Sequence, residues 1–226
     1  MGNPVCGFLS LPTFTLDIIL LMFDLVLGTS NAKKLLELQQ ILPSEAIRLT
    51  SLAELDNAMD VEETGTTFLE NATLKAAEQA IHLKRWVLAE DSGLSVEALQ
   101  GAPGVYSARF SDPGATDERN NDLLLEKLEG VPAGRRRAFY SCQICLSDPE
   151  GNIRLAADGR CYGVIGETRC GSQGFGYDPL FIVPEFHQTF GELGPMVKQA
   201  ISHRARALRK FIPQLMSLIE CEANHG

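Results

Sequence analysis

Strand-like and helix-like segments alternate through the first half of this chain. Buried strands are predicted over residues 24–28, 46–50 and 86–91, the last ended sharply by Ser92 and Gly93. A segment whose apolar residues recur at helical spacing separates each pair of strands. Strands that alternate with helices are typical of sheets with parallel strand pairs, so an α/β fold is expected.

The second half of the chain adds an antiparallel element. Helices are predicted over residues 117–128 and 202–221, the latter kinked or interrupted at Pro213. Between them, residues 137–147 and 153–165 predict a hairpin. We therefore expect a mixed, twisted sheet with flanking helices, arranged in two lobes around a central cleft.

Composition fits one globular domain, predicted to span residues 22–226. Hydrophobic residues make up 45% of the 226, which is enough to bury a core without a metal or disulfide. The 29 acidic and 20 basic residues give a formal charge of −9. A broad duplex-binding surface needs a basic face, so we expect no nucleic-acid partner.

Residues 1–21 are predicted to lie outside the core. Pro12 and Asp17 interrupt the apolar stretch 8–27, whereas a transmembrane helix needs about 20 largely apolar residues. The first basic residue is Lys33, so the stretch lacks the basic flank of a signal peptide. We therefore expect no membrane partner and a cytoplasmic location.

The six cysteines are predicted to be structural thiols. Cys142 and Cys145 have the spacing of a zinc site, but they lie in a predicted strand, where residues three apart point to opposite faces. No second pair with such spacing follows them.

The first cluster of candidate site residues joins the first strand to the first helix. A helix N-terminus offers backbone N–H groups and a positive dipole end, and lysines add charge, so this segment can hold phosphate groups. The Gly-Lys-Ser/Thr of a P-loop is missing, and taken alone the segment is explained by plain helix entry. It consists of Gly28, Thr29, Ser30, Asn31, Ala32, Lys33 and Lys34.

The second cluster gathers acidic residues near the start of the second helix. Glu62, Glu63 and Glu70 lie within nine residues, and Asn71 and Lys75 share one helix face. Carboxylate oxygens suit Mg²⁺, together with substrate phosphates. A capping box already explains Glu70, and a solvated loop is the alternative for the other two.

The third cluster lies at the predicted end of the third strand. Glu90 and Asp91 are adjacent, so they face opposite sides of the sheet and only one of them is expected to meet a ligand. Ser92 follows, and an ordered loop carries Ser107 and Arg109. A turn-capping Asp91 is the alternative interpretation.

The fourth cluster is divided between two segments. Phe175 lies between glycines, as a stacking platform beside exposed backbone requires, and Gly176, Tyr177 and Asp178 follow it. Further along, Lys198, His203 and Arg204 place hydrogen-bond donors around a helix start. An ordinary hairpin and a basic surface helix explain the two segments separately.

Together these segments resemble the inosine/xanthosine triphosphate pyrophosphatase family, enzymes that hydrolyse deaminated purine nucleoside triphosphates. The resemblance covers residues 23–215. It rests on TSNAKK at 29–34, ETGTTFLENA at 63–72, DSGL at 91–94, GAPGVYSAR at 101–109, GFGYDP at 174–179 and SHR at 202–204.

The resemblance implies hydrolysis of ITP, dITP and XTP to the monophosphate and pyrophosphate by a Mg²⁺-dependent homodimer. Asp91 would accept a proton, and Glu63 and Asp91 would hold Mg²⁺. Residues 29–34 and Lys75 would hold the triphosphate, and Ser92 would touch the substrate. The base pocket would consist of Phe175, Gly176, Tyr177, Asp178, Lys198, His203 and Arg204.

The base pocket would select its substrate through hydrogen bonding. Inosine and xanthosine present a 6-keto oxygen, which His203 or Arg204 can donate to, whereas adenine presents an amino donor there. One departure from the family is expected to weaken the pocket. Family members often carry an acidic residue just before the pocket lysine, whereas residues 194–197 here are Gly, Pro, Met and Val, so Lys198 is expected to lack that support.

Two other functions are consistent with parts of the pattern. A septum-inhibitor-like pyrophosphatase for modified pyrimidine nucleotides has a similar architecture, but the motifs at 174–176 and 202–204 argue against it. A nucleotide sensor without turnover is the second, and the presence of both Glu63 and Asp91 argues against it.

Removal of residues 1–21 should leave thermal stability and nucleotide hydrolysis unchanged, because the predicted first strand follows them. The full chain and a chain that begins at Met22 can be compared by thermal unfolding and by pyrophosphate release. A large drop in either quantity would show that the segment packs on the core.

Overall fold

The computed structural model describes residues 22–29, 31–43 and 45–223. Residues 1–21, predicted to lie outside the core, and Ser30, a predicted phosphate ligand, fall outside this range.

In the described part of the chain, one seven-stranded mixed sheet has the order β2-β1-β3-β4-β5-β6-β7. Strand β1 is parallel to β2 and β3, and every later pair of neighbours is antiparallel. The mixed α/β fold predicted from the sequence is confirmed. The strands are β1 (Phe23–Leu27), β2 (Ile47–Ser51), β3 (Trp86–Val96), β4 (Arg137–Ser147), β5 (Ile153–Ile165), β6 (Phe181–Val183) and β7 (Gln188–Thr189).

Five α-helices accompany the sheet over the same residues. None of these helices is both long and apolar enough to cross a membrane. The last helix is not interrupted at Pro213, since it continues through that residue. The helices are α1 (Ala32–Ile41), α2 (Phe68–Leu83), α3 (Asp117–Lys127), α4 (Pro195–Ile201) and α5 (His203–Ala223).

The prediction that Ser92 and Gly93 end the third strand is wrong. Strand β3 runs on to Val96, and Gly93 pairs with Ser141 of β4. The glycine serves tertiary packing, because a Cβ at position 93 would lie 2.3 Å from Ser107 Oγ. It therefore lets the 3₁₀ helix Gly104–Arg109 approach the strand, instead of turning the chain.

Two apolar clusters form the cores of two lobes, and β3 runs through both. The first includes Leu88 of β3 and packs it with residues of β1, α1 and α5. The second includes Leu94 and Val96 and packs them with residues of α3, β5 and β6. Between the two clusters, β3 carries Glu90, Asp91 and Ser92, which places these three residues where the lobes meet.

The N-terminal turn of α5 lies directly on the sheet. A Cβ at Gly159 of β5 would be 2.1 Å from the His203 carbonyl oxygen and 2.4 Å from the Ala207 nitrogen. Only a glycine allows this approach, because any other residue would collide with the helix backbone. Gly159 therefore fixes where His203 and Arg204 enter the cleft.

Cys142 and Cys145 of β4 follow the two-residue period of a strand, in which residues three apart point to opposite faces. Cys142 Sγ donates to Glu90 Oε2 at 3.4 Å, whereas Cys145 Sγ lies 3.6 Å from Thr73 Oγ1 on α2. The two side chains thus face opposite sides of the sheet, and both are buried without a disulfide.

Substitution of Gly159 by Ala should destabilise the protein by about 1–3 kcal/mol, as overpacking typically does. For a chain of this size that lowers the melting temperature by roughly 2–12 °C. The matched control is Gly134→Ala, because a Cβ at position 134 meets no atom within 4 Å. Equal melting temperatures for the two variants in thermal unfolding would contradict the packing argument.

Candidate active site

Glu90 and Asp91 sit where the parallel ladder of the sheet stops. Strand β1 ends at Leu27, opposite Leu88 of β3, and the cleft opens beyond that point. Because adjacent strand residues point to opposite faces, the two carboxylates enter different surroundings. Asp91 meets side chains of α2, whereas Glu90 meets side chains of α1 and α5.

A lysine ammonium lies between the two predicted metal ligands. Lys75 Nζ is 2.8 Å from Glu63 Oε1 and 2.8 Å from Asp91 Oδ1. Arg109 Nη1 lies 3.4 Å from Glu63 Oε2 on the outer side. Two carboxylates from distant parts of the chain therefore converge on one cation.

These surroundings shift the two carboxyl pKa values in opposite directions. Burial raises the pKa of Asp91, and the nearby Lys75 ammonium only partly offsets this effect. Burial also acts to raise the pKa of Glu63, but hydrogen bonds and charge from Lys75, with a further hydrogen bond from Arg109, outweigh it, so that pKa is lowered. The pKa of Asp91 is thus above the usual aspartate value, and the pKa of Glu63 is below the usual glutamate value.

Asn71 holds Asp91 from the other side. Its Nδ2 donates to Asp91 Oδ2 at 3.4 Å, and its Oδ1 accepts the Gly65 N–H at 2.8 Å. Glu70 does not join this cluster, because its carboxylate accepts the backbone N–H groups of Thr66 and Thr67. The capping box explains Glu70, as the sequence allowed.

At the start of α1, side chains are more available to a phosphate than backbone N–H groups are. Asn31 caps the helix, and its Oδ1 accepts the N–H groups of Lys33 and Lys34. Thr29 Oγ1 accepts the Asn31 N–H, and Ala32 begins the helix. The Asn31 cap already uses two of the backbone donors expected to bind phosphate, so the lysine ammonium groups and the helix dipole remain for that role.

Arg204 forms a buried ion pair with Glu90. Nε donates to Glu90 Oε2 at 2.7 Å and Nη2 to Glu90 Oε1 at 2.8 Å, and both side chains are at most 1% exposed. Nη1 also donates to Glu37 and Nη2 to Ser92 Oγ. Glu90 thus occupies the Nε–Nη2 edge of the guanidinium, which leaves Nη1 for the predicted contact with a nucleobase.

Lys198 is not left without acidic support, contrary to the expectation from residues 194–197. Its ammonium lies 2.6 Å from Asp178 Oδ2 and 3.2 Å from Glu37 Oε1. The two carboxylates come from the loop before β6 and from α1, so folding supplies what the neighbouring sequence lacks. Phe175 lies beside this pair, with Lys198 Nζ 4.3 Å from its ring centroid.

The other predicted pocket residues surround Phe175. Gly176 follows it with a φ of +62°, and the Tyr177 hydroxyl donates to the Ser107 carbonyl at 2.8 Å. The His203 ring stacks on Tyr140 at 4.8 Å. Burial and the neighbouring Arg204 and Lys198 hold the pKa of His203 well below its usual value, so the imidazole is neutral.

Three site residues were not selected from the sequence. These are Glu90, Asn71 and Glu37, and the sequence pattern assigns none of them a role in the site. Glu37 lies four residues after Lys33 on α1, and this i, i+4 spacing was the one available signal. Their roles depend on contacts with residues far away in the sequence.

Three cavities lie in the cleft, and the one beside Phe175, Lys198 and Arg204 has a volume of about 270 Å³. One of about 680 Å³ is lined by Lys34, Glu63 and Lys75, and one of about 120 Å³ by Ser92, Phe175 and other residues of the second lobe. Asn31, Lys34 and Ala108 line both of these last two cavities, so the two are neighbours that share a wall. Such a cleft suits an elongated ligand with a highly charged end and a planar end.

Comparison with known proteins agrees with this geometry. A sequence profile of the Ham1 family matches residues 25–214. A dITP/XTP pyrophosphatase from Rhodopirellula baltica is 62% identical over 199 residues, 88% of this chain and 96% of the relative. One of the same name from an Exiguobacterium species is 47% identical over 196 residues, 87% of this chain and 98% of the relative.

Comparison with solved structures also identifies a HAM1 protein. A HAM1 protein from Coxiella burnetii superposes with a TM-score of 0.80, with 39% identity over 87% of this chain and 100% of that chain. The family resemblance drawn from the sequence is thereby confirmed: this chain belongs to the Ham1 family.

Proposed function

We propose that the chain hydrolyses the deaminated purine nucleoside triphosphates ITP, dITP and XTP to the monophosphate and pyrophosphate, which keeps them out of DNA and RNA. The observation that carries the proposal is the position of Glu90 and Asp91 on opposite faces of β3. Asp91 lies in the cluster with Lys75, which is suited to bind a polyphosphate. Glu90 lies in the cluster with Arg204, which is suited to bind a purine nucleobase.

The triphosphate is bound by side chains from two helices. Lys34 projects from the start of α1 into the cavities of about 680 and 120 Å³, and Lys75 projects from α2 beside Asp91. Thr29, Asn31, Ala32 and Lys33 surround the same helix start, where the dipole favours an anion. Lysine ammonium groups are suited to this role because they are mobile point charges.

Glu63 and Asp91 fit a divalent cation. Their oxygens already converge on one positive group, the Lys75 ammonium. In the described part of the chain no three His, Cys, Asp or Glu side chains gather to hold a metal, so substrate phosphates and water would complete the coordination, as Mg²⁺ prefers. When bound, Mg²⁺ offsets negative charge on the triphosphate.

Asp91 accepts the proton of the attacking water. Attack at the α-phosphorus forms one P–O bond and breaks the bond to the β-phosphate oxygen, so pyrophosphate leaves and the monophosphate remains. Lys75 and Asn71 hold the Asp91 carboxylate, and burial raises its pKa, which makes it a better base than an exposed aspartate.

The base is bound on the Glu90 side of the strand. Phe175 supplies a ring for stacking, with Gly176, Tyr177, Asp178 and His203 around it, and Ser92 lies at the junction of the two halves. Among its described contacts, Arg204 keeps one Nη1 hydrogen free of partners, and Lys198 keeps one of its three. These donors can pair with a 6-keto oxygen, whereas the amino group of adenine would face them with a donor, at a cost of about 1–3 kcal/mol.

The proposal includes a single catalytic domain over residues 22–226, a homodimer and a cytoplasmic location. The family resemblance supports the dimer. Buried thiols without a disulfide at Cys142, Cys145 and Cys161 are usual in a reducing compartment and support the location.

A substrate panel tests the proposal. Inosine, xanthosine, deoxyinosine, guanosine and adenosine triphosphates are each incubated with the protein and Mg²⁺, and the products are identified by chromatography. Inosine and xanthosine nucleotides should be cleaved at least tenfold more efficiently than ATP, to the monophosphate and pyrophosphate. Orthophosphate and a diphosphate as products would show that a different bond is broken, and binding without turnover would favour a sensor.

Asp91→Asn should lower kcat by at least about 100-fold, because an amide cannot take the proton. Melting temperature should change little, since the amide oxygen still accepts from Lys75. Asp24→Asn is the matched control, because Asp24 lies at the other end of the sheet in an exposed pair with Arg48. A kcat near that of the wild type at saturating Mg²⁺ would remove Asp91 from the mechanism.

A further inference from the structure

Two side chains of α3 bind both backbone polar groups of Gly176. Asp117 Oδ2 accepts the Gly176 N–H at 2.9 Å, and Asn121 Nδ2 donates to the Gly176 carbonyl at 2.8 Å. Asp117 and Asn121 are four residues apart, so they project from the same face of the helix. We propose that Asp117 and Asn121 are positioning residues that fix Phe175 for stacking on the purine base.

The position of Phe175 depends on these contacts. The loop from residue 174 to 178 contains no strand or helix, and Gly176 has a φ of +62°. Asp178 Oδ2 accepts the Phe175 N–H at 2.9 Å, which holds one side of the residue. Asp117 and Asn121 hold the peptide groups on the other side, so three side chains together determine the ring's position.

Asn121 makes these contacts although its amide oxygen has no hydrogen-bond partner among the described residues. Nδ2 also donates to the Asp117 carbonyl at 2.6 Å, but Oδ1 is buried and has no hydrogen-bond partner among the described residues. A buried polar atom without a partner weakens a fold. The amide is therefore better explained by the hydrogen bond that joins α3 to Gly176 than by a gain in stability.

Asp117 also connects the two lobes. Its Oδ2 lies 3.4 Å from Lys33 Nζ on α1, and Lys33 Nζ lies 5.5 Å from the centroid of the Phe175 ring. The first-lobe helix, the second-lobe helix and the aromatic ring thus meet at one carboxylate.

The contacts predict that their loss affects binding of the purine base selectively. Asn121 has no described contact with a residue that serves the triphosphate in the proposed function, whereas Asp117 also lies 3.4 Å from Lys33 Nζ. The inference rests on that function. Loss of the α3 contacts should weaken recognition of the purine and leave recognition of the polyphosphate unchanged.

The experiment compares a ligand with a base and a ligand without one. Asn121→Leu removes both donors, and we expect the KM for ITP and the Kd for inosine monophosphate to rise about tenfold, with kcat within threefold. The inhibition constant of inorganic tripolyphosphate should stay within twofold of the wild-type value. Asp117→Ala should raise the KM for ITP and the Kd for inosine monophosphate in the same way, and Asp117→Asn should recover most of that loss because its amide oxygen can accept the Gly176 N–H. The tripolyphosphate comparison is made with Asn121→Leu, because Asp117 also pairs with Lys33.

Asp122→Asn is the control on the same helix, because Asp122 is exposed and pairs with Arg169. It should match the wild type in every measurement. Should Asn121→Leu fail to fold, as judged by its melting temperature, Asn121→Ala replaces it in the same assays.

Each outcome has one meaning. Unchanged constants for inosine monophosphate and ITP, or an equal rise for tripolyphosphate, would overturn the positioning role. A wild-type protein that does not hydrolyse ITP would instead overturn the proposed function, whatever the variants do.

Discussion

The buried ion pair of Glu90 and Arg204 joins the elements that make the cleft. Desolvation of two charges costs several kcal/mol per ion, and only good geometry with further hydrogen bonds offsets it. Here the pair is bidentate, Lys34 adds a second cation to Glu90, and Glu37 adds a second carboxylate to Arg204. Strand β3 and helices α1 and α5 must therefore assemble together, since loss of one partner leaves a charge buried alone.

The charges of the cleft balance before any ligand arrives. In the cleft, five cationic side chains pair with five carboxylates. A triphosphate adds several negative charges, which this arrangement does not offset in a chain that is already acidic overall. The divalent cation proposed for Glu63 and Asp91 would offset this added charge. The groups concerned are Lys75 and Arg109 with Glu63 and Asp91, and Lys34, Lys198 and Arg204 with Glu37, Glu90 and Asp178.

The sequence predicts those features of the fold that depend on local pattern. The hairpin of β4 and β5 has the predicted bounds because both strands are long and bounded by a clear turn. The predicted end of β3 at Gly93 was wrong because a glycine that ends a strand and a glycine that allows a neighbouring segment to approach look the same in sequence. Strands β6 and β7, of three and two residues, are too short to show a period.

The candidate site shows the same limit. Motif residues such as Asp91 could be selected from the sequence, but their partners could not, because the contact of Glu90 with Arg204 spans 114 positions. The expectation about Lys198 failed for this reason, since its carboxylates come from α1 and from the loop before β6. Hydrogen-bond partners are fixed by packing, which short-range spacing does not encode.

One strand gives two adjacent carboxylates opposite properties. Glu90 is buried, which alone would raise its pKa, but Arg204 and Lys34 lower it far below the usual range, so Glu90 stays ionised and holds the fold. Asp91 is also buried, with less compensation from Lys75, and its pKa is raised. A carboxylate that stays ionised can maintain a buried ion pair. A carboxylate whose ionised form is less stabilised accepts a proton more readily. The alternation of β3 therefore separates the structural carboxylate from the basic one within a single pair of residues.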